Sequence, residues 1–139
     1  MGLALRARTL VAGEAHGELL VLSEGLSFWG GLDPASGVII DRQHPQRDAR
    51  VTGRILLLPA PRGSTAAPGA LLECLAAGMG PAAILLLCND PTPIAAVLVG
   101  QMIGLPTIPV ALLEDLTDTD SLVNGHFASL MQDWLKIDY

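Results

Sequence analysis

Basic residues are scarce in this chain. Eight Lys and Arg face fourteen Asp and Glu, for a formal charge of −6, and seven of the eight are arginines scattered before residue 63. A nucleic-acid partner needs a basic face, and this distribution supplies none. Cysteine is equally sparse: Cys74 and Cys88 are too few for the four thiolates that usually hold an iron–sulfur cluster. Their places, in a predicted helix interior and at the end of a predicted strand, read as small core residues. Long apolar runs are missing as well, since residues 82–88 and 94–100 fall far short of the ~20 needed to span a membrane. The two N-terminal arginines are followed by no long apolar segment with a cleavage site, so no secretory signal is read. The expected location is the cytoplasm, where a disulfide between the two cysteines is disfavoured.

What is present is apolar. Half of the residues are hydrophobic and the mean hydropathy is +0.47, high for a free-standing soluble domain. The surplus is read as a surface covered by a partner subunit, because large exposed apolar patches mark interaction sites. Residues 1–139 are the size of one domain, able to bury about two thirds of its unfolded surface around a single core.

The pattern along the chain changes near residue 50. Residues 6–12 and 18–23 run apolar or alternate around a turn at 13–17, which predicts a hairpin. In Asp33-Pro34-Ala35-Ser36-Gly37, Pro and Gly hold the positions of a turn, so Asp33 reads as a turn residue. Residues 38–40 follow as strand, and the polar stretch 44–50 resembles a linker. Beyond it the order is strand (51–58), helix (68–77), strand (82–87), helix (93–103), strand (107–112). This is a βαβαβ unit, which forms a parallel sheet and places ligands at the carboxyl ends of its strands. Asp90 stands where a helix N-cap belongs. In the tail, Phe127, Leu130, Met131, Trp134 and Leu135 carry a helical spacing, read as core or subunit contact.

Two stretches carry chemistry. Arg62-Gly63-Ser64-Thr65 follows an apolar strand and leads into a helix, a junction that presents hydroxyls where unpaired N–H groups and the helix dipole favour an anion. Spacing alone favours the plainer reading, an N-cap Ser or Thr. The second stretch is Leu26-Ser27-Phe28-Trp29-Gly30-Gly31, which sets two of only five aromatics side by side against a glycine pair. Other constellations fail. There is no Gly-x-Ser-x-Gly elbow and no Walker lysine. His16, His44 and His126 fall in predicted turns, and the Asp41/His44 pair lacks further ligands, so no metal site is assigned to this chain.

Together with the 13–17 turn and the His44-Pro45 step, these two stretches resemble the swivel domain, or small subunit, of the aconitase X family of dehydratases, over roughly residues 8 to 126. One departure stands out: members usually carry a run of serines after the loop glycine, whereas this chain has Ser64-Thr65-Ala66-Ala67-Pro68. The resemblance implies an α/β, three-layer swivelling β/β/α fold, with a hairpin-rich half and the parallel βαβαβ half. It also implies a hydro-lyase active only with a large subunit that bears an iron–sulfur cluster. Ser64 would be the catalytic base. Arg62, Gly63 and Thr65 would bind substrate, with Ser27, Phe28, Trp29, Gly30 and Gly31 forming a pocket wall or a subunit contact. The implied substrates are small hydroxy acids: cis-3-hydroxy-L-proline, toward which the abundance of Leu, Ala and Gly and of Arg over Lys leans slightly as the mark of a high-GC bacterial source, or a phosphorylated mevalonate. The rival reading is a non-catalytic swivel-fold module that binds a partner or small anion, with Thr65-Ala66-Ala67 marking an eroded site.

Overall fold

The computed structural model describes residues 2–62, 65–116 and 119–138. Strands β1 (Gly2–Val11) and β2 (Ala15–Val21) are followed by a short helical turn, α1 (Phe28–Gly31). A small ribbon of β3 (Leu32–Asp33) and β4 (Val38–Ile39) comes next. The second half runs β5 (Ile55–Leu58), α2 (Ala67–Ala76), β6 (Ala83–Leu86), α3 (Pro91–Met102) and β7 (Val110–Leu113), and the chain closes with β8 (Phe127–Met131) and β9 (Trp134–Asp138). The seven long strands form one closed barrel in the order β1-β7-β6-β5-β2-β8-β9. Where two separate sheets under a helix layer are implied by the resemblance, the two halves share their strands in a continuous ring.

The predicted βαβαβ unit is present, with β5, β6 and β7 parallel and β2 added in parallel beside β5. These strands are covered on both faces, which explains their unbroken apolar sequences. In β5, Ile55 and Leu57 point into the barrel, while Leu56 and Leu58 pack outward under α2 and α3. Ala83 and Leu85 of β6 point inward in the same way, and Ile84 and Leu86 outward. One core therefore fills the barrel and a second lies between its parallel wall and the helices.

Three expectations need correction. The hairpin of residues 6–12 and 18–23 does not form. Residues 2–6 of β1 pair with β9 and residues 7–11 with β7, while β2 lies between β5 and β8. Both edges of each strand are taken. The tail is likewise no helix but a hairpin, turned by Gln132 and Asp133 at φ 44 and 68, as two-residue hairpin loops require. Ala128, Leu130, Leu135 and Ile137 face the core with a period of two, and Phe127, Met131 and Trp134 face out, with Arg6 over the Trp134 ring at 5.3 Å. The turn is tied back to β1 by the Asp133 carboxylate, which accepts from Thr9 N (2.9 Å) and Thr9 Oγ1 (2.7 Å). Finally, residues 44–50 are no linker: Gln46 donates to Val21 O, and its Oε1 accepts from Ser23 N, so the stretch is strapped to the end of β2.

One close crossing tests this packing. A Cβ on Gly17 would stand 2.6 Å from the Gly53 carbonyl oxygen, whereas one on Gly69 would meet nothing within 4 Å. Gly17→Ala is expected to lose about 1–3 kcal/mol of stability through forced backbone shifts. Gly69→Ala, inside α2, is expected to be neutral or to gain up to ~1 kcal/mol. Thermal melts of the two variants check both signs.

Candidate active site

Because β2, β5 and β6 are parallel, their carboxyl ends share one edge of the barrel. The segments leaving them are held together there: Leu22 N donates to Leu57 O, Leu87 N to Leu58 O, and Cys88 Sγ lies 3.8 Å from Pro59 O. Helices α2 and α3 both start at this edge. The loop after β2 packs so tightly on the loop after β5 that a Cβ on Gly25 would stand 2.8 Å from Ala60 O and 3.0 Å from Arg62 Cβ.

Arg62 is the first charged residue beyond β5. Its Nη1 lies 3.5 Å from Glu24 Oε1 and 3.9 Å from Asp41 Oδ2. The guanidinium is thus shared between two carboxylates, a half-exposed cluster in which one cation meets two anions. Neither partner is signalled by the sequence, because Glu24 and Asp41 lie 38 and 21 residues away and belong to no recognisable motif. Gly63 and Ser64 lie outside the described residues. Thr65 is exposed in the turn before α2, and the N-cap position is Ala66, with no side chain closing the first helical turn. The N-cap alternative therefore does not apply to Thr65. Pro68 removes one of the N–H groups that would otherwise need a partner.

The Ser27–Gly31 segment is divided in role. Phe28 is buried in the outer core and anchors the loop, while Trp29 stands 61% exposed. Ser27 Oγ donates to Trp29 O at 3.0 Å, and Gly31 O accepts from Ile40 N and Asp41 N. Between this loop and the first turns of α2 runs a groove of about 520 Å³, lined by Trp29, Gly30, Ile40, Ala66, Gly69 and Glu73 among others. The structure thus brings the Trp29 loop and the start of α2 to one groove, with Arg62 and Asp41 on the same rim of the barrel.

The remaining candidates resolve individually. Asp33 is a turn residue as expected, accepting from Ala35 N and Ser36 Oγ. Asp90 caps α3, accepting from Thr92 N at 3.0 Å. Cys74 is a core thiol pushed up to about 11 by burial, with Asp33 and Glu73 adding to the shift. Cys88, in contrast, is exposed rather than buried, because β6 ends at Leu86 and the chain has turned out to the surface two residues later. Among the histidines, His16 is exposed on strand β2, but His44 is buried, not solvated in a turn. No group of three or more His, Cys, Asp and Glu is placed to hold a metal ion among the described residues.

The profile of the aconitase X swivel domain matches residues 4–137. This chain belongs to the aconitase X swivel-domain family. It is 44% identical over 111 residues to the cis-3-hydroxy-L-proline dehydratase of Pseudomonas aeruginosa, a match that covers 80% of this chain and 19% of that protein. The swivel domain thus spans about a fifth of that relative's length. With the phosphomevalonate dehydratase small subunit of Methanothermobacter thermautotrophicus it shares 32% identity over 119 residues, 81% of this chain and 88% of the other. The crystal structure of Thermococcus kodakaraensis aconitase X, in its holo form, superposes with a TM-score of 0.84 at 25% identity, covering 98% of both chains. The aconitase X swivel fold implied by the Leu-Ser-Phe-Trp-Gly-Gly and Gly-Ser segments is therefore the fold found.

The cap gives a test that separates architecture from chemistry. Asp90→Ala is expected to cost about 1 kcal/mol, within the range for loss of an N-cap acceptor, and Asp90→Asn much less. Chemical denaturation of the two variants checks the order.

Proposed function

We propose that this swivel domain is the small-subunit part of an aconitase X-type hydro-lyase, which removes water from a small hydroxy acid in a site shared with a larger partner. The observation that carries the reading is the meeting of the Trp29 loop and the start of α2 at one groove, in a chain 44% identical to a hydroxyproline dehydratase. That relative also favours cis-3-hydroxy-L-proline over a phosphorylated mevalonate as substrate. The iron–sulfur cluster implied by the family does not fit this chain, whose one buried thiol is held protonated and whose other thiol stands apart on the surface. It is assigned to the partner, where it would act as a Lewis acid on the leaving hydroxyl.

In this reading Ser64, as its alkoxide, takes the proton beside the substrate carboxylate, the C–O bond breaks as a carbon–carbon double bond forms, and return of that proton from Ser64 to the departing hydroxide gives water and restores the alkoxide. A serine ionises far above neutral pH, and only fixed positive potential brings it into range. Arg62 contributes little net potential, being neutralised by Glu24 and Asp41. The uncapped N-terminus of α2 supplies part of what is needed, and the partner the rest. Gly63 and Thr65, its neighbours in sequence, are assigned to substrate binding, and Arg62 receives an anionic group of the substrate.

The partner also accounts for the apolar surface. Besides Trp29, helix α3 exposes Leu98, Val99 and Met102, with Ile103 exposed at its C-cap, and carries no charged residue. A second reading, a binding module without catalysis, is favoured by one observation: Thr65-Ala66-Ala67 stands where the family carries further serines. Two measurements in the assembled complex decide. Ser64→Ala is expected to lower turnover about 10²- to 10⁴-fold, as for loss of a positioned general base, with assembly intact and Thr65→Ala far milder; normal turnover in Ser64→Ala would remove the serine from the mechanism. Trp29→Ala is expected to leave the melting temperature nearly unchanged and to weaken subunit association by about 2 kcal/mol, a typical loss for a central aromatic anchor. An unfolded Trp29→Ala chain would contradict the interface role.

A further inference from the structure

His44 is 3% exposed, yet no step of the proposed reaction uses it. Its ring joins two segments. Nδ1 accepts from Gln46 N at 3.0 Å, and because that backbone N–H can only donate, Nδ1 carries no proton. The ring proton of the neutral imidazole then lies on Nε2, which donates to Glu24 O at 3.2 Å. The same residue's backbone N–H donates to Asp41 O at 3.1 Å and closes the 41–44 turn. Glu24 and Asp41 are the two carboxylates that flank Arg62. One buried residue is therefore bonded to the backbone of both residues whose side chains hold the guanidinium, to Glu24 through its ring and to Asp41 through its own N–H.

We infer that His44 is a positioning residue, which sets the place of the Arg62 guanidinium by fixing Glu24 and Asp41. It touches no substrate and acts through Glu24. The ring is suited to this by shape, since a rigid plane spans from Gln46 N to Glu24 O with one acceptor and one donor at fixed separation. Gln46 reinforces the strap by bonding Val21 O and Ser23 N from the same turn. The length of the side chain at 44 therefore matters as much as its polarity. Asn keeps an acceptor for Gln46 N but does not reach Glu24 O, whereas Gln carries its amide Nε2 to that oxygen. The consequence for turnover rests on the proposed role of Arg62 in holding an anionic group of the substrate.

The test has two readouts. In the ¹⁵N-labelled full chain, the Arg62 Nε–Hε resonance is followed in His44→Asn, His44→Gln and Glu24→Gln. His44→Asn is expected to move it to the position it takes in Glu24→Gln, and His44→Gln to leave it near the wild-type position. An unmoved resonance in His44→Asn overturns the inference. Should His44→Asn fail to fold, His44→Gln decides alone: a resonance displaced as in Glu24→Gln, despite the retained reach, overturns it too. In the assembled complex, with cis-3-hydroxy-L-proline as the probe, His44→Asn is expected to raise KM about tenfold, the effect of losing one charge-assisted hydrogen bond, with kcat little changed. The double variant with Glu24→Gln should lose no more than the worse single variant, because residues acting through one another are not additive. Additive losses overturn the inference. A shifted resonance with unchanged KM sustains the positioning role and instead removes Arg62 from substrate binding.

Discussion

The closure of the barrel through β1 is the constraint on which the rest of this swivel domain depends. One ten-residue strand pairs first with β9 and then with β7, so the first strand of the chain joins the antiparallel wall to the parallel one. With β9 on one edge and β7 on the other, β1 seals an apolar interior, and every strand of the ring has a neighbour on both sides. The parallel wall is then fixed in place, and with it the edge where the carboxyl ends of β2, β5 and β6 meet. The candidate active site is a by-product of this closure. Loops that are far apart in sequence are brought side by side because the strands they leave are neighbours in the ring.

The parallel half was legible because its strands are buried on both faces. Ile55-Leu56-Leu57-Leu58 and Ala83-Ile84-Leu85-Leu86 admit few other readings between helices ended by Gly78 and Gly104. The first strands are illegible for the opposite reason: sequence neighbours joined by a short turn usually pair with each other, and what separates β1 from β2 lies more than a hundred residues away, in β8 and β9. The tail misled through coincidence. Five apolar residues at helical spacing were in truth two sets, one inward and one outward, divided by a turn whose two residues, Gln132 and Asp133, include no glycine to announce it.

At the site, the sequence identified the aromatic–glycine loop and the Arg62 junction but not what surrounds them. The aromatic pair divides its labour by burial, Phe28 inward and Trp29 outward, which no residue type alone could specify. Cys88 left the core because β6 stops at Leu86, two residues before the end of its apolar run. His44 entered the core because the polar stretch around it satisfies its own hydrogen bonds against the end of β2, so a histidine and a glutamine do there what apolar packing does elsewhere.

The cluster at Arg62 has a consequence for any anion that approaches it. The guanidinium is already matched by Glu24 and Asp41, so binding at this point is an exchange of partners rather than the filling of an empty charge. An arriving carboxylate must displace one that the protein itself supplies. The free energy of that exchange is the difference between two similar ion pairs, each half in water, and is small whatever the strength of either. Such a contact gives direction without tenacity: it can orient an anion at the rim of the barrel and let it go as readily as it took it up.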